Sequence, residues 1–221
     1  MNVFPAFGTS RESLAYARAR DERIVWLLTA HPVTAGMLVA LGWFPTRAKA
    51  VKRLRRLAAR RRVRFVGTVC RAPGRPEHVF CRWQPKADNL LHEVELTDLC
   101  FRLDAARILR GPHVTDTRIR PDAEVWINGR LYYLEHDRGT MAYPQVAGRF
   151  RLYEGFPHFV LWVCSTEERR DGLRARAEPL RPCALFTTFH EASRSPHEPV
   201  WLDYGGRRAA LPRETPSPTA G

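Results

Sequence analysis

Apolar positions recur at helical spacing from Asp21 onward, where Ile24, Val25, Leu27 and Leu28 predict the inner face of a first helix. Proline cannot continue a helix and restricts the residue before it, so His31-Pro32 ends it. Thr34 is placed to cap a second, short helix carrying Met37, Leu38 and Leu41, and Gly42 stands in the C-cap position that favours positive φ. Thr46 then caps a third helix, RAKAVKRLRRLAARRR, whose Val51, Leu54, Leu57 and Ala58 share one side. Two β-like runs follow, Val63 to Cys70 and His78 to Trp83, joined by the turn-rich RAPGRPE. Helix, short helix, third helix and two-stranded wing is the order of a winged helix-turn-helix.

Gln84 to Asn89 reads as a linker, after which the apolar pattern predicts a helix from about Leu90 to Leu109, including Ala106 and Ile108. The strongest local signal comes next, in RPDAEVWINGRLYYLEHD, residues 120–137. Asn128-Gly129 marks a two-residue type I′ turn, because both central positions need positive φ. That turn pairs Ile127 with Arg130, Val125 with Tyr132, Ala123 with Leu134, Asp122 with Glu135 and Arg120 with Asp137. Side chains alternate across a strand, so Ala123, Val125, Ile127, Tyr132 and Leu134 form one face while Asp122, Glu135 and Asp137 lie on the other.

Downstream, Pro144 opens a helix with Val146, Phe150 and Tyr153 inward, and FVLWVC (159–164) is a continuous apolar run of central-strand type. Ser165 and Glu168 match a capping box for a helix to about Ala177. Ala184 to Phe189 is a further strand, and Val200 to Tyr204 an edge strand. The whole reads as an α/β (α+β) protein: an arm over 1–19, a winged helix-turn-helix over 20–84, a mixed-sheet domain over 85–205, and a disordered Pro/Ser/Thr-rich tail over 206–221.

Charge sharpens this division. Residues 1–85 hold 17 Lys+Arg against 4 Asp+Glu, whereas residues 86–221 hold 19 against 19, so the net charge of +13 belongs to the first part. Clustered positive charge is the footprint of nucleic-acid binding. On the third helix it falls at Arg47, Lys49, Lys52, Arg53, Arg56 and Arg60, and on the wing at Arg71 and Arg75. In winged-helix geometry these side chains meet the bases and phosphates of double-stranded DNA. The competing reading is a structural module whose arginines are solvated or face a protein or lipid.

Five cysteines with no CxxC spacing fit a reducing cytoplasm. Cys70, His78 and Cys81 have no fourth ligand at suitable spacing, so buried thiols are expected there and not a zinc site. No apolar run reaches the ~18 residues of a membrane span. No Gly-rich phosphate loop is present, and no organic cofactor is expected.

Pro121-Asp122 opening the hairpin and Glu135-x-Asp137 closing it resemble the PD-(D/E)XK, restriction-endonuclease-like core. More particularly, a winged helix followed by PDAEVWINGRLYYLEHDRGTM and a helix ending R-F-R-L-Y resembles the replication-relaxation family. Its proteins are encoded on plasmids and other mobile elements and associated with plasmid replication and DNA relaxation. The resemblance spans roughly residues 20–190. It implies DNA binding, a nuclease-like domain, and replication or mobilisation proteins, or a second copy, as further partners.

If the nuclease-like site is active, Asp122, Glu135 and Asp137 would bind Mg²⁺ or Mn²⁺, hard cations that prefer carboxylate oxygen. One departure stands against activity: Asp137 occupies the position where the nuclease signature has lysine, and no lysine follows Lys86. Arg149 or Arg138 would supply charge to a transition state, but neither is a base. The alternative is a non-enzymatic regulator or replication accessory whose carboxylates pair with Arg120, Arg138 or Arg149, the nuclease-like fold serving oligomerisation or docking. His136, by alternation, points to the packed face.

Overall fold

A computed structural model describes residues 10–71, 74–105, 107–111, 119–181 and 183–213. It is an α+β protein that divides into two compact units, residues 1–97 and 98–221. The division falls inside a helix and not at the expected linker, where Ala87–Asn89 forms a turn of 3-10 helix.

The first unit runs α1 (Ser10–Ala30), β1 (Val33–Thr34), α2 (Ala35–Ala40), α3 (Arg47–Ala59), β2 (Arg64–Cys70) and β3 (Pro76–Cys81). Helix α1 begins within the segment expected to be an arm and stops before Pro32. Thr34 accepts the Met37 N–H and so caps α2, and Thr46 accepts the Lys49 N–H and caps α3. The strands pair antiparallel in the order β1-β3-β2. Ile24, Leu28, Met37, Leu38, Leu54, Leu57 and Phe80 are buried almost completely and fill the core. A bulge between Phe65 and Gly67 shifts the register of β2 against β3.

Helix α4 (Leu90–Arg102) carries the chain across the division, and the second unit continues with β4 (Arg107–Arg110). The helix expected to reach Leu109 is thus cut short. Asp104 takes φ 48° just after α4, and β4 then pairs with the next strand from Arg107↔Trp126 to Arg110↔Ala123. Ala106 lies outside the described residues.

The hairpin is β5 (Ala123–Ile127) and β6 (Arg130–Asp137). Its register is Ile127↔Arg130, Val125↔Tyr132 and Ala123↔Leu134, as the Asn-Gly turn predicts. Asn128 and Gly129 both have positive φ, 48° and 73°. The ladder ends at Ala123↔Leu134, so the two further rungs expected at Asp122 and Arg120 do not form.

Next come α5 (Tyr143–Leu152), β7 (Phe159–Cys164), α6 (Glu167–Arg174), β8 (Ala184–Thr188), α7 (Phe189–Arg194), β9 (Trp201–Leu202) and β10 (Arg208–Ala209). The seven strands lie in the order β10-β9-β8-β7-β6-β5-β4. Strands β6, β7 and β8 are parallel, and the remaining pairs are antiparallel. Helix α6 is capped by Thr166, which accepts the Arg169 N–H, and not by the expected Ser165, whose own N–H goes to the Asp137 carbonyl. Strand β9 is not an edge, because β10 pairs outside it. Residues 206–213, expected to belong to a disordered tail, hold β10 and the buried Leu211. The remainder of that tail lies outside the described residues, as do residues 1–9.

One face of the parallel strands carries Tyr133, Glu135 and Asp137 on β6, Val160, Trp162 and Cys164 on β7, and Phe186 on β8. Val146, Phe150 and Tyr153 of the α5 segment and Leu173 of α6 pack into the same apolar cluster. The acidic face of the hairpin is therefore the helix-covered one. Among the described residues no helix is long and apolar enough to cross a membrane.

Candidate functional site

In the second unit, alternation along β6 sets Glu135 and Asp137 on the same side as α5, and each meets an arginine. Glu135 is 1% exposed at its side chain. Both its carboxylate oxygens accept from Arg149 Nη2 at 2.6 Å, and Oε1 also accepts the Tyr153 hydroxyl at 2.5 Å. Arg149 and Tyr153 are four residues apart, one helical turn, so the α5 segment presents both to one carboxylate. Trp162, the neighbour of Glu135 on β7, lies 5.9 Å beneath the Arg149 guanidinium.

Asp137 has a separate set of partners. Its Oδ2 accepts from Arg169 Nη2 at 2.9 Å, and its Oδ1 accepts the Gly139 N–H at 2.6 Å. Gly139 adopts φ 79°, a conformation that glycine permits and that closes this turn. Arg169 also donates to the Met141 carbonyl at 2.6 Å and stacks over Tyr143 at 4.5 Å. Asp122 uses its side chain where the ladder ends, with Oδ2 accepting the His136 N–H at 2.8 Å. His136 itself is buried on the opposite face, its ring 5.5 Å from Phe189.

Burial pushes the Glu135 carboxyl up to about 8, with the Asp122 charge adding to the rise and Arg149 and Tyr153 working against it. The Tyr153 phenol is likewise pushed up, by burial and by Glu135. As arranged, this donor set does not fit a divalent cation. The oxygens of Glu135 and Asp137 are turned to protein donors, and a guanidinium faces the most buried carboxylate. Among the described residues no three of His, Cys, Asp and Glu gather as a metal would require.

A pH prediction follows for Glu135. Between its unfolded value of 4.5 and about 8 in the fold, the native state keeps a proton that the unfolded chain gives up. The stability tied to that proton is present below the lower value and is lost as pH rises through the upper one. Glu135→Gln keeps the neutral shape, so its melting temperature relative to wild type is expected to climb as pH rises from about 5 to about 9. Parallel melting curves for the two proteins across that range would contradict this.

In the first unit, α3 buries Ala50, Leu54 and Leu57 and turns Arg47, Ala48, Val51, Lys52, Arg55, Arg56 and Ala59 toward an open surface. Lys49, Arg60 and Arg75 are exposed as well. Three of the basic residues singled out from the sequence are engaged by the protein itself. Arg53 donates from Nε to Asp21 at 2.6 Å and also pairs with it through Nη2. Arg71 pairs with Glu77 at 2.6 Å, and Arg47 donates to the Pro76 carbonyl at 3.2 Å and stands 3.4 Å from Glu77. The sequence reasoning passed over Arg55, although it lies four residues from Val51 and Ala59 on the open face. It also passed over Arg169, and it set Tyr153 inward without its bond to Glu135. Tyr153 was legible as the residue one turn beyond Arg149, whereas no local signal joins Arg169 to Asp137.

The replication-relaxation family model matches residues 26–161. That is more than half of the 221 residues and takes in both α3 and the acidic hairpin. The chain belongs to the replication-relaxation family. Membership points to a role in the replication or relaxation of mobile elements. The family match stops short of Arg169, so the partner of Asp137 lies outside it, while Arg149 and Tyr153 lie inside. No curated protein and no solved structure matches the chain.

Proposed function

We propose that this replication-relaxation protein is a non-enzymatic, double-stranded-DNA-binding accessory of plasmid or mobile-element replication. The first unit acts as a winged helix-turn-helix, with α3 as the helix that enters the major groove and the β2–β3 hairpin as the wing. The observation that carries this reading is the open face of α3, where Arg47, Lys52, Arg55 and Arg56 stand together. Lys49 and Arg60 extend the charge along the same helix, and Arg75 places one more cation at the wing. Phosphate contacts position such a helix, and base edges specify its site.

The order α4, β4, β5, β6, α5, β7 supports a nuclease-like ancestry for the second unit. Its carboxylates serve the fold: Glu135 holds α5 to the sheet through Arg149 and Tyr153, and Asp137 holds α6 through Arg169. Conversion of catalytic carboxylates into interior hydrogen-bond partners of arginines is consistent with the absence of the signature lysine.

The test is binding of the full chain to a duplex from its own replicon over a salt series, followed by incubation with supercoiled plasmid in Mg²⁺ or Mn²⁺. The expected result is affinity that falls steeply with salt, because cationic side chains release the counterions of DNA, and no nicking. Binding that ignores salt would overturn the DNA reading. Nicking that disappears in Asp122→Ala would overturn the non-enzymatic one.

A further inference from the structure

Beside α3 the first unit carries an open notch of about 290 Å³ lined by Arg55, Ala58, Phe65, His78 and Phe80. Its floor is aromatic. Phe65 and Phe80 are direct partners across β2 and β3, and the bulge that follows Phe65 sets His78 opposite Thr68. The Phe65 ring meets His78 edge-on at 5.3 Å and Phe80 at 5.9 Å, with interplanar angles of 78° and 65°. Phe80 is buried in the core, but Phe65 is 53% exposed. Two neighbouring rings thus hold a large aromatic side chain in one orientation while over half of it faces water. Of the two cross-strand partners it is Phe80 that enters the core, while Phe65 beside it stays largely outside.

The rim identifies the ligand. Arg55 lines both this notch and the open face of α3, so the aromatic floor is continuous with the cationic surface of the helix. A polyanion lying along α3 would pass its phosphates by Arg55 and bring whatever those phosphates carry over Phe65. In duplex DNA the flat faces of the bases are covered by their stacked neighbours. Only an unpaired base, at a strand end, a gap or an opened segment, has a face to offer. Stacking on an aromatic side chain beside a positive charge is the usual means of holding such a base without reading its sequence.

We infer that the Phe65 notch binds an unpaired nucleobase flanking the duplex held by α3. This rests on the DNA-binding reading above and adds to it a preference for the junction between paired and unpaired DNA. A regular double helix alone would leave the notch empty. An apolar side chain of a partner protein would fill the same volume but would draw nothing from Arg55.

The experiment compares the full chain on two fluorescent probes, a blunt duplex and the same duplex with a short single-stranded tail. The tailed probe is expected to bind about tenfold more tightly, the scale of a single stacked base. Phe65→Ala and Phe65→Leu are expected to lose that preference and keep the blunt-duplex affinity, while Phe65→Tyr keeps both. Leucine retains apolar bulk without a π face, so it separates stacking from packing, and melting curves confirm that each variant is folded. Equal binding of the two probes by wild type, or a preference that survives in Phe65→Leu, overturns the inference. Failure of the chain to bind either probe overturns the DNA-binding reading together with this one.

Discussion

At about pH 9, where Glu135 is ionised, Arg149→Met is expected to destabilise the second unit by about 3 kcal/mol, the lower end of what breaking a buried ion pair costs. The lower end applies because the Arg149 side chain is 31% exposed, whereas Glu135 is almost fully enclosed. Without the guanidinium, Glu135 keeps its neighbour Asp122 and its burial and has only Tyr153 as a donor. A buried carboxylate in that position escapes by taking up a proton, which is easier at lower pH. The deficit should therefore be larger at about pH 9 than at about pH 6. Arg149→Met with Glu135→Gln removes both charges and is expected to recover most of the loss, since a neutral amide still accepts from Tyr153. Denaturant unfolding of the three proteins at both pH values measures this directly. A single variant as stable as wild type at the higher pH would mean that the Arg149 bonds contribute nothing.

That coupling shows what a sequence discloses and what it withholds. The Asn128-Gly129 turn requires positive φ at two successive residues, and that local demand sets the register of every rung to Ala123. Alternation then puts Glu135 and Asp137 on one side. The FVLWVC strand and the inward positions of α5 are legible for the same reason, because each depends on a periodic pattern within a single element. Burial of the acidic side is not local. It depends on α5 and α6 crossing over the sheet between the parallel strands β6, β7 and β8, which turns an apparent metal triad into two carboxylates, Glu135 with Arg149 of α5 and Asp137 with Arg169 of α6.

Misreadings cluster where two local signals compete. Residues 103–110 suit a helix by period, yet Asp104 at positive φ breaks it and Arg107–Arg110 gains a partner strand. No glycine or proline marks that break. At the start of α6, Ser165 and Thr166 are both good caps, and the bond from the Ser165 N–H to Asp137 decides for Thr166. Helix α7 went unpredicted although Thr188 and Glu191 form a capping box. It follows β8 without a loop, and its six residues are too few to show a period.

Reversing Lys52, Arg55 and Arg56 together to glutamate is expected to reduce affinity for duplex DNA by about 10²- to 10³-fold at moderate salt and to flatten the salt dependence by about three units of slope. All three side chains are exposed on the open face of α3, away from buried Ala50, Leu54 and Leu57, so the melting temperature should hardly change. Arg53 lies on the same helix and predicts the opposite pattern. Its guanidinium is fixed to Asp21, whose side chain is only 8% exposed, so Arg53→Ala leaves a buried carboxylate without its partner. That variant should melt earlier, while the folded fraction binds DNA with nearly the wild-type salt slope. The two outcomes separate charge that faces outward from charge that holds the helix in place, although the sequence writes both as the same basic run. A triple variant with unchanged affinity and slope would move the DNA contact off α3. Loss of binding without a change in slope would instead point to altered shape and not to lost phosphate contacts.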